Sequence, residues 1–232
     1  MARWGMVIDL DKCTACQTCT VACMEENNIP FVEETEVRRD RSISWMKVVG
    51  EQEGEYPEVK MKFFPQPCMQ CENPPCTKVC PVYATYPNPD GIVAQVYWRC
   101  IGCRFCMAAC PYTVKYFNWY QYHDKVPPLM AAAENPDVSV RTKGVVEKCT
   151  FCHHRLMKLK DTARLENREI REGEYTVACQ ESCPSKAISF GDLDHPESEV
   201  ARLADSLRAF RLMEELGTKP KVIYLAERKK NG

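Results

Sequence analysis

The sequence predicts an α+β fold made of two small modules of one design, with the second module inserted between the two halves of the first. Three observations lead to this prediction. The 232-residue chain contains 16 cysteines, they fall into four groups of four, and the two middle groups stand close together between the two outer ones. Without its cysteines the chain is only about 38% apolar, below the usual level for a globular domain, so an ordinary hydrophobic core cannot be its main source of stability.

The four groups share one spacing pattern with two variations. Group I comprises Cys13, Cys16, Cys19 and Cys23. Group II, with a wider second gap, comprises Cys68, Cys71, Cys76 and Cys80. Group III repeats the spacing of group I and comprises Cys100, Cys103, Cys106 and Cys110. Group IV, with a 26-residue second gap, comprises Cys149, Cys152, Cys179 and Cys183. Proline follows groups II, III and IV, whereas Met24 follows group I, which we expect to alter the local turn but not ligation.

This spacing indicates iron-sulfur clusters. Three thiolates at two-residue gaps match three corners of a cubane, and a fourth cysteine, usually before proline, reaches the neighbouring cluster, as in bacterial two-cluster ferredoxins. A zinc ion usually takes its four ligands as two pairs from separate loops. Because four repeats account for all 16 cysteines, we predict four 4Fe-4S clusters in two ferredoxin-like modules. A zinc-stapled interaction module and, more remotely, a disulfide scaffold are the alternatives.

The exchange of the fourth ligand gives a specific assignment for every cysteine. Cluster A is assigned to Cys13, Cys16, Cys19 and Cys183. Cluster B is assigned to Cys149, Cys152, Cys179 and Cys23. Cluster C is assigned to Cys68, Cys71, Cys76 and Cys110. Cluster D is assigned to Cys100, Cys103, Cys106 and Cys80. Each cluster then crosslinks distant chain segments, so we expect the apoprotein to be largely unfolded.

Short elements are expected around each group. The residues 6–10, 92–98 and 144–147 predict strands that lead into Cys13, Cys100 and Cys149, and the second of these follows a turn signal at 88–91. A short helix is expected to begin near the third cysteine of each group. The insertion 156–172 in group IV predicts a solvated helix, with a docking surface as the alternative.

The C-terminal region predicts an amphipathic helix. Its apolar residues recur at three- and four-residue intervals before Gly217 and are Val200, Leu203, Leu207, Phe210, Met213 and Leu216.

These predictions divide the chain into modules and connecting segments. Residues 1–30 plus 144–195 form an outer module with groups I and IV, and 62–118 form an inserted module with groups II and III. Residues 31–61 and 119–143 form connecting loops, and 196–232 form the C-terminal helix and tail.

Charged residues next to the groups could influence the clusters. Lys12, Arg99 and Lys148 each precede the first cysteine of a group. A nearby cation raises the potential of a cluster, because reduction makes the cluster more negative; an exposed charge without effect is the alternative. His153 and His154 are expected to lie at the surface or beside the site, since no cysteine ligand is missing.

Several functions are excluded or disfavoured. The chain has no nucleophile constellation, dinucleotide glycine fingerprint or phosphate loop, so we expect no catalytic residues. Its 31 basic and 32 acidic residues are dispersed, which disfavours nucleic acid as a partner. With a mean hydropathy of −0.41, no stretch approaches the length of a transmembrane helix, and the N-terminus has no secretory signal. We therefore expect any membrane association to come through a partner.

The order of the groups and the stretches 68–76 and 100–112 resemble the four-cluster iron-sulfur subunit of the complex iron-sulfur molybdoenzyme family. The later stretches 135–138, 146–152, 178–184 and 190–193 are most similar to the branch found in the menaquinone reductase complex of sulfate reducers and in alternative complex III. Some relatives replace a group III cysteine and hold a 3Fe-4S cluster there, whereas this chain keeps all four.

This resemblance implies partners and a place. It implies an electron-transfer subunit between a large molybdopterin-type subunit and an integral membrane subunit similar to that of polysulfide reductase, which binds quinone, with multihaem cytochrome c as a further partner. Groups I and IV are expected nearer the large subunit, and groups II and III nearer the quinone. The expected place is the periplasmic face of the inner membrane, by export with a partner, or alternatively the cytoplasmic face. The alternative function is the iron-sulfur subunit of a catalytic polysulfide, thiosulfate, tetrathionate or arsenate reductase.

Overall fold

The computed structural model describes residues 2–122 and 132–228. Within these ranges the strands are β1 (Trp4–Asp9), β2 (Lys47–Glu53), β3 (Lys60–Gln66), β4 (Thr85–Pro87), β5 (Val93–Gln95), β6 (Tyr116–Phe117), β7 (Val146–Glu147), β8 (Ile188–Asp192), β9 (Ala209–Phe210) and β10 (Val222–Leu225). The α-helices are α1 (Thr18–Glu26), α2 (Glu34–Val37), α3 (Pro75–Lys78), α4 (Phe105–Ala108), α5 (His153–Leu165), α6 (Ala178–Glu181) and α7 (Glu199–Ala204). Two 3₁₀ helices span Tyr97–Arg99 and Glu214–Leu216.

A four-stranded sheet in the order β8–β1–β10–β9 joins the two ends of the described chain. β1 pairs antiparallel with β8, where Met6 lies opposite Phe190. On its other side β1 pairs parallel with β10, where Met6 lies opposite Val222. Every residue of β10 is at most 2% exposed, so this strand is a central part of the core.

The strand that follows each cysteine group pairs antiparallel with the strand that leads into the next group. The pair β2–β3 connects group I to group II, β4–β5 connects group II to group III, and β6–β7 connects group III to group IV. β8, which follows group IV, pairs with β1, which precedes group I. The four groups are therefore repeats of one strand, loop and helix unit, as their spacing predicts.

Each group also begins a helix one residue before its third cysteine, which confirms the predicted position of the helices. The helices α3, α4 and α6 contain four residues each and end before a cysteine-proline pair. A residue before proline avoids the helical conformation, which explains these early ends. α1 has Met24 in place of proline and continues for nine residues to Glu26.

Two expectations about strands and loops need correction. The expected loop 31–61 contains α2, all of β2 and the start of β3. β2 and β3 form a hairpin, and the turn between them includes Gly54 at φ 81°. The apolar pattern of the sequence does not predict this hairpin, because charged residues interrupt both strands and most of β2 is exposed. The expected strand 92–98 is shorter, since it comprises β5 and then a 3₁₀ helix. Part of the expected loop 119–143 lies outside the described residues.

The predicted C-terminal amphipathic helix is wrong beyond Ala204, where α7 ends. Ser206 Oγ accepts a hydrogen bond from the backbone N–H of Arg208 at 3.3 Å, and such local bonds compete with a helix. Phe210 then lies in β9, which pairs with β10, and its ring packs on Tyr224 with a centroid distance of 5.8 Å. Tertiary pairing thus outweighs the helical pattern, and Leu207 of the predicted stripe is fully exposed.

The main core mixes cysteines with large apolar side chains. Cys23, Cys149 and Cys179 pack in one buried cluster with Trp45 and Phe151. Most of the cysteines therefore lie within or against the hydrophobic clusters and are not appended to them. Across residues 2–122 and 132–228, no helix is both long enough and apolar enough to cross a bilayer.

Candidate functional site

Three cavities are each lined by four cysteines, of which three come from one group and one from another. The first cavity is lined by Cys149, Cys152 and Cys179 of group IV with Cys23 of group I. The second is lined by Cys68, Cys71 and Cys76 of group II with Cys110 of group III. The third is lined by Cys100, Cys103 and Cys106 of group III with Cys80 of group II. We name these sets quartets B, C and D, after the clusters to which the sequence assigns them.

The remaining cysteines, quartet A, are Cys13, Cys16, Cys19 and Cys183. Burial, with contributions from the neighbouring Cys13 and Cys183, raises the pKa of Cys19 to about 11. Burial also raises the pKa of Cys13, again with contributions from Cys183 and Cys16. The thiols of groups I and IV therefore lie near one another in this quartet too.

Left-handed backbone turns shape the four loops. The second residue after the first cysteine has a positive φ in every group, and these residues are Ala15, Gln70, Gly102 and Phe151. In groups II, III and IV the third residue after the last cysteine also has a positive φ, and these residues are Tyr83, Thr113 and Lys186. The next N–H after two of these turns donates to sulfur, from Ala84 to Cys80 Sγ and from Ala187 to Cys183 Sγ, both at 3.2 Å. Such bonds stabilise negative sulfur and tune a cluster's potential.

The longer helix of group I adds a side-chain contact to quartet B. Asn27 is the C-terminal cap residue of α1 and is 2% exposed. Its Nδ2 donates to Cys23 Sγ at 3.7 Å and to Cys152 Sγ at 4.0 Å. The absence of proline after Cys23 therefore positions an amide donor between two thiols of quartet B.

Quartet B is the most deeply buried set of thiols. Burial raises the pKa of Cys149 to about 12 and that of Cys152 to about 11. Burial and the neighbouring cysteines raise the pKa of Cys23 and Cys179 well above the usual value. A raised pKa favours the protonated thiol, so binding of a metal at this quartet would release protons.

The quartets lie in series. The pKa of Cys179 in quartet B is raised first by burial and by two other cysteines of quartet B. Cys19 of quartet A is the next contributor, so it lies close to Cys179. Besides burial, Cys68 of quartet C contributes to the raised pKa of Cys149 in quartet B. Quartets C and D exchange cysteines between groups II and III. The order is therefore A, B, C and D.

The two ends of this series reach the surface. Cys16 in quartet A and Cys103 in quartet D are exposed, whereas all four cysteines of quartet B are buried. A series of sites that begins and ends at the surface can exchange electrons with a different partner at each end.

Large apolar side chains are exposed around quartet D, next to the exposed cations Arg99 and Arg104. Four side chains that are each more than 60% exposed lie within three residues of its cysteines, and they are Tyr83, Trp98, Ile101 and Phe105. We name these four residues the D patch. Exposed aromatic groups of this kind are typical of surfaces that contact another protein.

The three predicted cations differ in their environments. Lys12 and Arg99 are exposed, whereas Lys148 is completely buried. Lys148 Nζ donates to the carbonyl oxygen of Cys149 at 2.9 Å and to that of Val93. Only Lys148 therefore has the buried position that a tuning role requires.

The two histidines form polar contacts with carboxylates. His153 Nε2 lies 3.2 Å from Asp90 Oδ2, and His154 Nε2 lies 2.6 Å from Glu26 Oε1. Both rings are partly buried, and their partners connect α5 to group I and to the turn between groups II and III.

Sequence analysis missed a second buried lysine. Lys115 is 4% exposed and lines the cavity of quartet C. It stands five residues after Cys110, and Thr85 stands five residues after Cys80. Aligning the repeats on their last cysteine would have marked this position, because a lysine there departs from the other three groups.

Known proteins match this arrangement. Residues 59–126, which contain groups II and III, match the model of a 4Fe-4S dicluster domain, and residues 4–25 match that of a 4Fe-4S binding domain. The fold, the cysteine quartets and these matches define an iron-sulfur electron-transfer protein.

Relatives cover almost the whole chain. The chain is 52% identical to the menaquinone reductase iron-sulfur cluster-binding subunit of Nitratidesulfovibrio vulgaris, over 97% of this chain and 89% of the relative. It is 36% identical to the arsenate respiratory reductase iron-sulfur subunit of a Shewanella species, over 96% of each. It is 34% identical to the B subunit of polysulfide reductase from Wolinella succinogenes, over 99% of this sequence and 97% of the relative. The chain belongs to this family of reductase iron-sulfur subunits, which confirms the resemblance drawn from its motifs.

Proposed function

We propose that this chain carries four 4Fe-4S clusters in the order A, B, C and D and conducts electrons between two partner subunits. The observation that carries the proposal is the series of cysteine quartets, with an exposed cysteine in each end quartet and the fully buried quartet B between them. Four thiols around one cavity are the donor set that a cubane requires. The cavities thus support the ligation given for clusters B, C and D above, and neighbouring thiols support that of cluster A.

The proposed ligation divides the chain into two modules. Groups II and III exchange ligands within one module, and groups I and IV exchange ligands within the other. The dicluster match over residues 59–126 supports the first module as an insertion in the second. β10 belongs with the outer module, since it pairs with β1.

A bound 4Fe-4S cluster supplies one-electron transfer, and the protein sets its spacing, potential and solvent access. Around quartet B the side chains of Trp45, Met46 and Phe151 line the cavity and exclude water. Asn27 and the backbone N–H of Phe151 donate to sulfur there. This chain needs no catalytic residue, because bond making takes place in its partners.

We place a quinone-reactive membrane subunit at the quartet D end and a large molybdopterin-type subunit at the quartet A end. The D patch supports the first position, since exposed large apolar side chains of this kind mark contact sites for another protein. The exposed surface near Cys16 is more polar and includes Thr14, Gln17 and Thr18. The name of one relative supports a menaquinone-type complex. The multihaem cytochrome as a further partner and the periplasmic face of the inner membrane follow only from the resemblance of the motifs.

Metal analysis tests the cluster content. The native chain should contain about 16 iron atoms and about 16 acid-labile sulfides, because each cubane contains four of each. Iron and sulfide measured on anaerobically purified complex provide this number, and electron paramagnetic resonance of the reduced protein detects the clusters. A colourless folded protein with zinc and no labile sulfide would refute the proposal. Molybdenum with reductase activity in the same complex would favour the alternative catalytic reductase over a menaquinone reductase.

The D patch provides a separate test of the partner. The double variant Trp98→Ser and Phe105→Ser should weaken binding of the membrane subunit at least tenfold, since truncation of buried interface aromatics often costs more than about 2 kcal/mol. Binding is measured by capture of the solubilised membrane subunit on the loaded chain. Leu165→Ser is the matched control, because Leu165 is 88% exposed but lies on α5, away from the quartets. Equal losses in the two variants would contradict the placement.

A further inference from the structure

Two lysines are buried between the quartets without a carboxylate partner. Lys115 is 4% exposed and Lys148 is 0% exposed. Within the described ranges neither ammonium takes part in an ion pair with a carboxylate, although most other buried or half-buried cations in the chain do. A buried charge without a counterion is costly unless another group supplies the opposite charge. Four thiolates and a cluster are such a group.

Lys115 lies between quartets C and D. Its side chain lines the cavity of quartet C. Its Nζ donates to Thr85 Oγ1 at 3.2 Å and to Gln95 Oε1 at 3.3 Å. Thr85 and Gln95 both line the cavity of quartet D. One ammonium therefore touches the walls of two neighbouring cavities.

Lys148 has the corresponding position between quartets B and C. Its Nζ donates to the carbonyl oxygens of Val93 and Cys149. Val93 lines the cavity of quartet C, and Cys149 lines that of quartet B. Its acceptors are neutral, like those of Lys115, so the positive charge of each lysine is not cancelled by its own hydrogen bonds.

The junction between quartets A and B differs. The positions that correspond to Lys115 in groups I and IV are occupied by Asn28 and Ile188, which carry no charge. Arg155 approaches quartet B, but its guanidinium pairs with Glu26 at 2.6 Å and with Glu181 at 2.8 Å. Within the described residues, the unpaired buried cations are therefore concentrated around quartet C.

We propose that Lys115 and Lys148 make cluster C the site of highest reduction potential in the series. Both ammonium groups adjoin cavity C, whereas only one adjoins B and only one adjoins D. Reduction adds one negative charge to a cluster, and a nearby cation in a low-dielectric interior favours that state. Lys221 adds to this effect, because it is 2% exposed and its backbone N–H donates to the carbonyl oxygen of Met69, which lines cavity C. An electron would then reside longest at cluster C. This inference rests on the proposed function.

Redox titration of the cluster-loaded full chain tests the proposal. Lys115→Met and Lys148→Met each remove one charge while keeping an unbranched side chain. In Lys115→Met the ratio of reduced to oxidised cluster at a fixed potential should fall about tenfold for clusters C and D. This fall corresponds to a midpoint potential lower by about 59 mV for a one-electron couple. In Lys148→Met the same fall should occur for clusters B and C. One of the four midpoint potentials, the highest in the unmodified chain, should therefore shift in both variants, and one should shift in neither.

Two further variants separate charge from structure. Lys78→Met is the matched control, because Lys78 is exposed on α3 and its Nζ donates to Asn73 Oδ1 at 2.6 Å, two residues from Cys76. If a methionine variant loses iron, Lys115→Gln and Lys148→Gln, which keep a hydrogen-bond donor, replace it. The inference, but not the proposed function, would be overturned if the Lys115 and Lys148 variants keep about 16 iron atoms and their midpoint potentials shift no more than those of Lys78→Met. A native chain that lacks four clusters would overturn the proposed function instead.

Discussion

Replacing Cys23 by alanine is expected to destroy the cluster held mainly by group IV, although Cys23 belongs to group I. Cys23 lines the same cavity as Cys149, Cys152 and Cys179. Alanine supplies no ligand, so the iron content should fall from about 16 to about 12 per chain if the whole cubane is lost. The loss should leave the cluster of Cys13, Cys16 and Cys19 in place, because those thiols meet Cys183 instead.

Protection from alkylation identifies which thiols are released. Cysteines bound to iron resist alkylation, and mass spectrometry locates those that do not. In Cys23→Ala the newly modified residues should be Cys149, Cys152 and Cys179.

The reciprocal variant Cys183→Ala is the matched control. It also removes the last cysteine of a group, but it should release Cys13, Cys16 and Cys19. If each variant instead exposed the thiols of its own group, the exchange of ligands between groups I and IV would be wrong.

Removing all the iron is expected to unfold most of the protein. A structural metal site in a small zinc domain supplies about 10–16 kcal/mol, which is as large as the whole stability of a typical domain, about 5–15 kcal/mol. Here many of the cysteines lie within or against the main core, and four clusters would join distant segments of the chain. Their loss leaves a thin apolar core and several cavities lined by thiols.

Circular dichroism and limited proteolysis measure this effect. Anaerobic chelation should abolish most of the native far-ultraviolet signal and make the chain sensitive to protease. A portion of the same sample, resupplied with ferrous iron and sulfide, should regain the native far-ultraviolet signal and resistance to protease. This control shows that the treatment itself did no damage. A chain that stays folded and protease-resistant without iron would show that its apolar core is sufficient.

The cysteine pattern alone was enough to predict much of the site. The spacing gives the four groups, and the position of each helix follows from the third cysteine because the same loop recurs four times. The early ends of three helices follow from proline, and the longer α1 follows from Met24. These features depend on local backbone rules, which a sequence contains directly.

Long-range pairing could not be predicted in the same way. The apolar spacing from Val200 to Leu216 fits a helix, but Phe210 and Tyr224 pack together across two paired strands. Lys115 also gives no sign of burial in its own neighbourhood, since its acceptors Thr85 and Gln95 come from the preceding β-ribbon. Both outcomes depend on which distant segments meet, and residue periodicity does not contain that information.

The central pairing of β1 with β10 has a consequence for biosynthesis. A nascent chain leaves the ribosome from its N-terminus, so β1 must wait for residues 222–225 before its parallel neighbour exists. All cysteines of quartets C and D precede residue 111, whereas Cys183 and the strand after it emerge much later. The inner half can therefore receive inorganic iron and sulfide during translation, while the half containing Cys13 closes only after residues 222–225 have been synthesised.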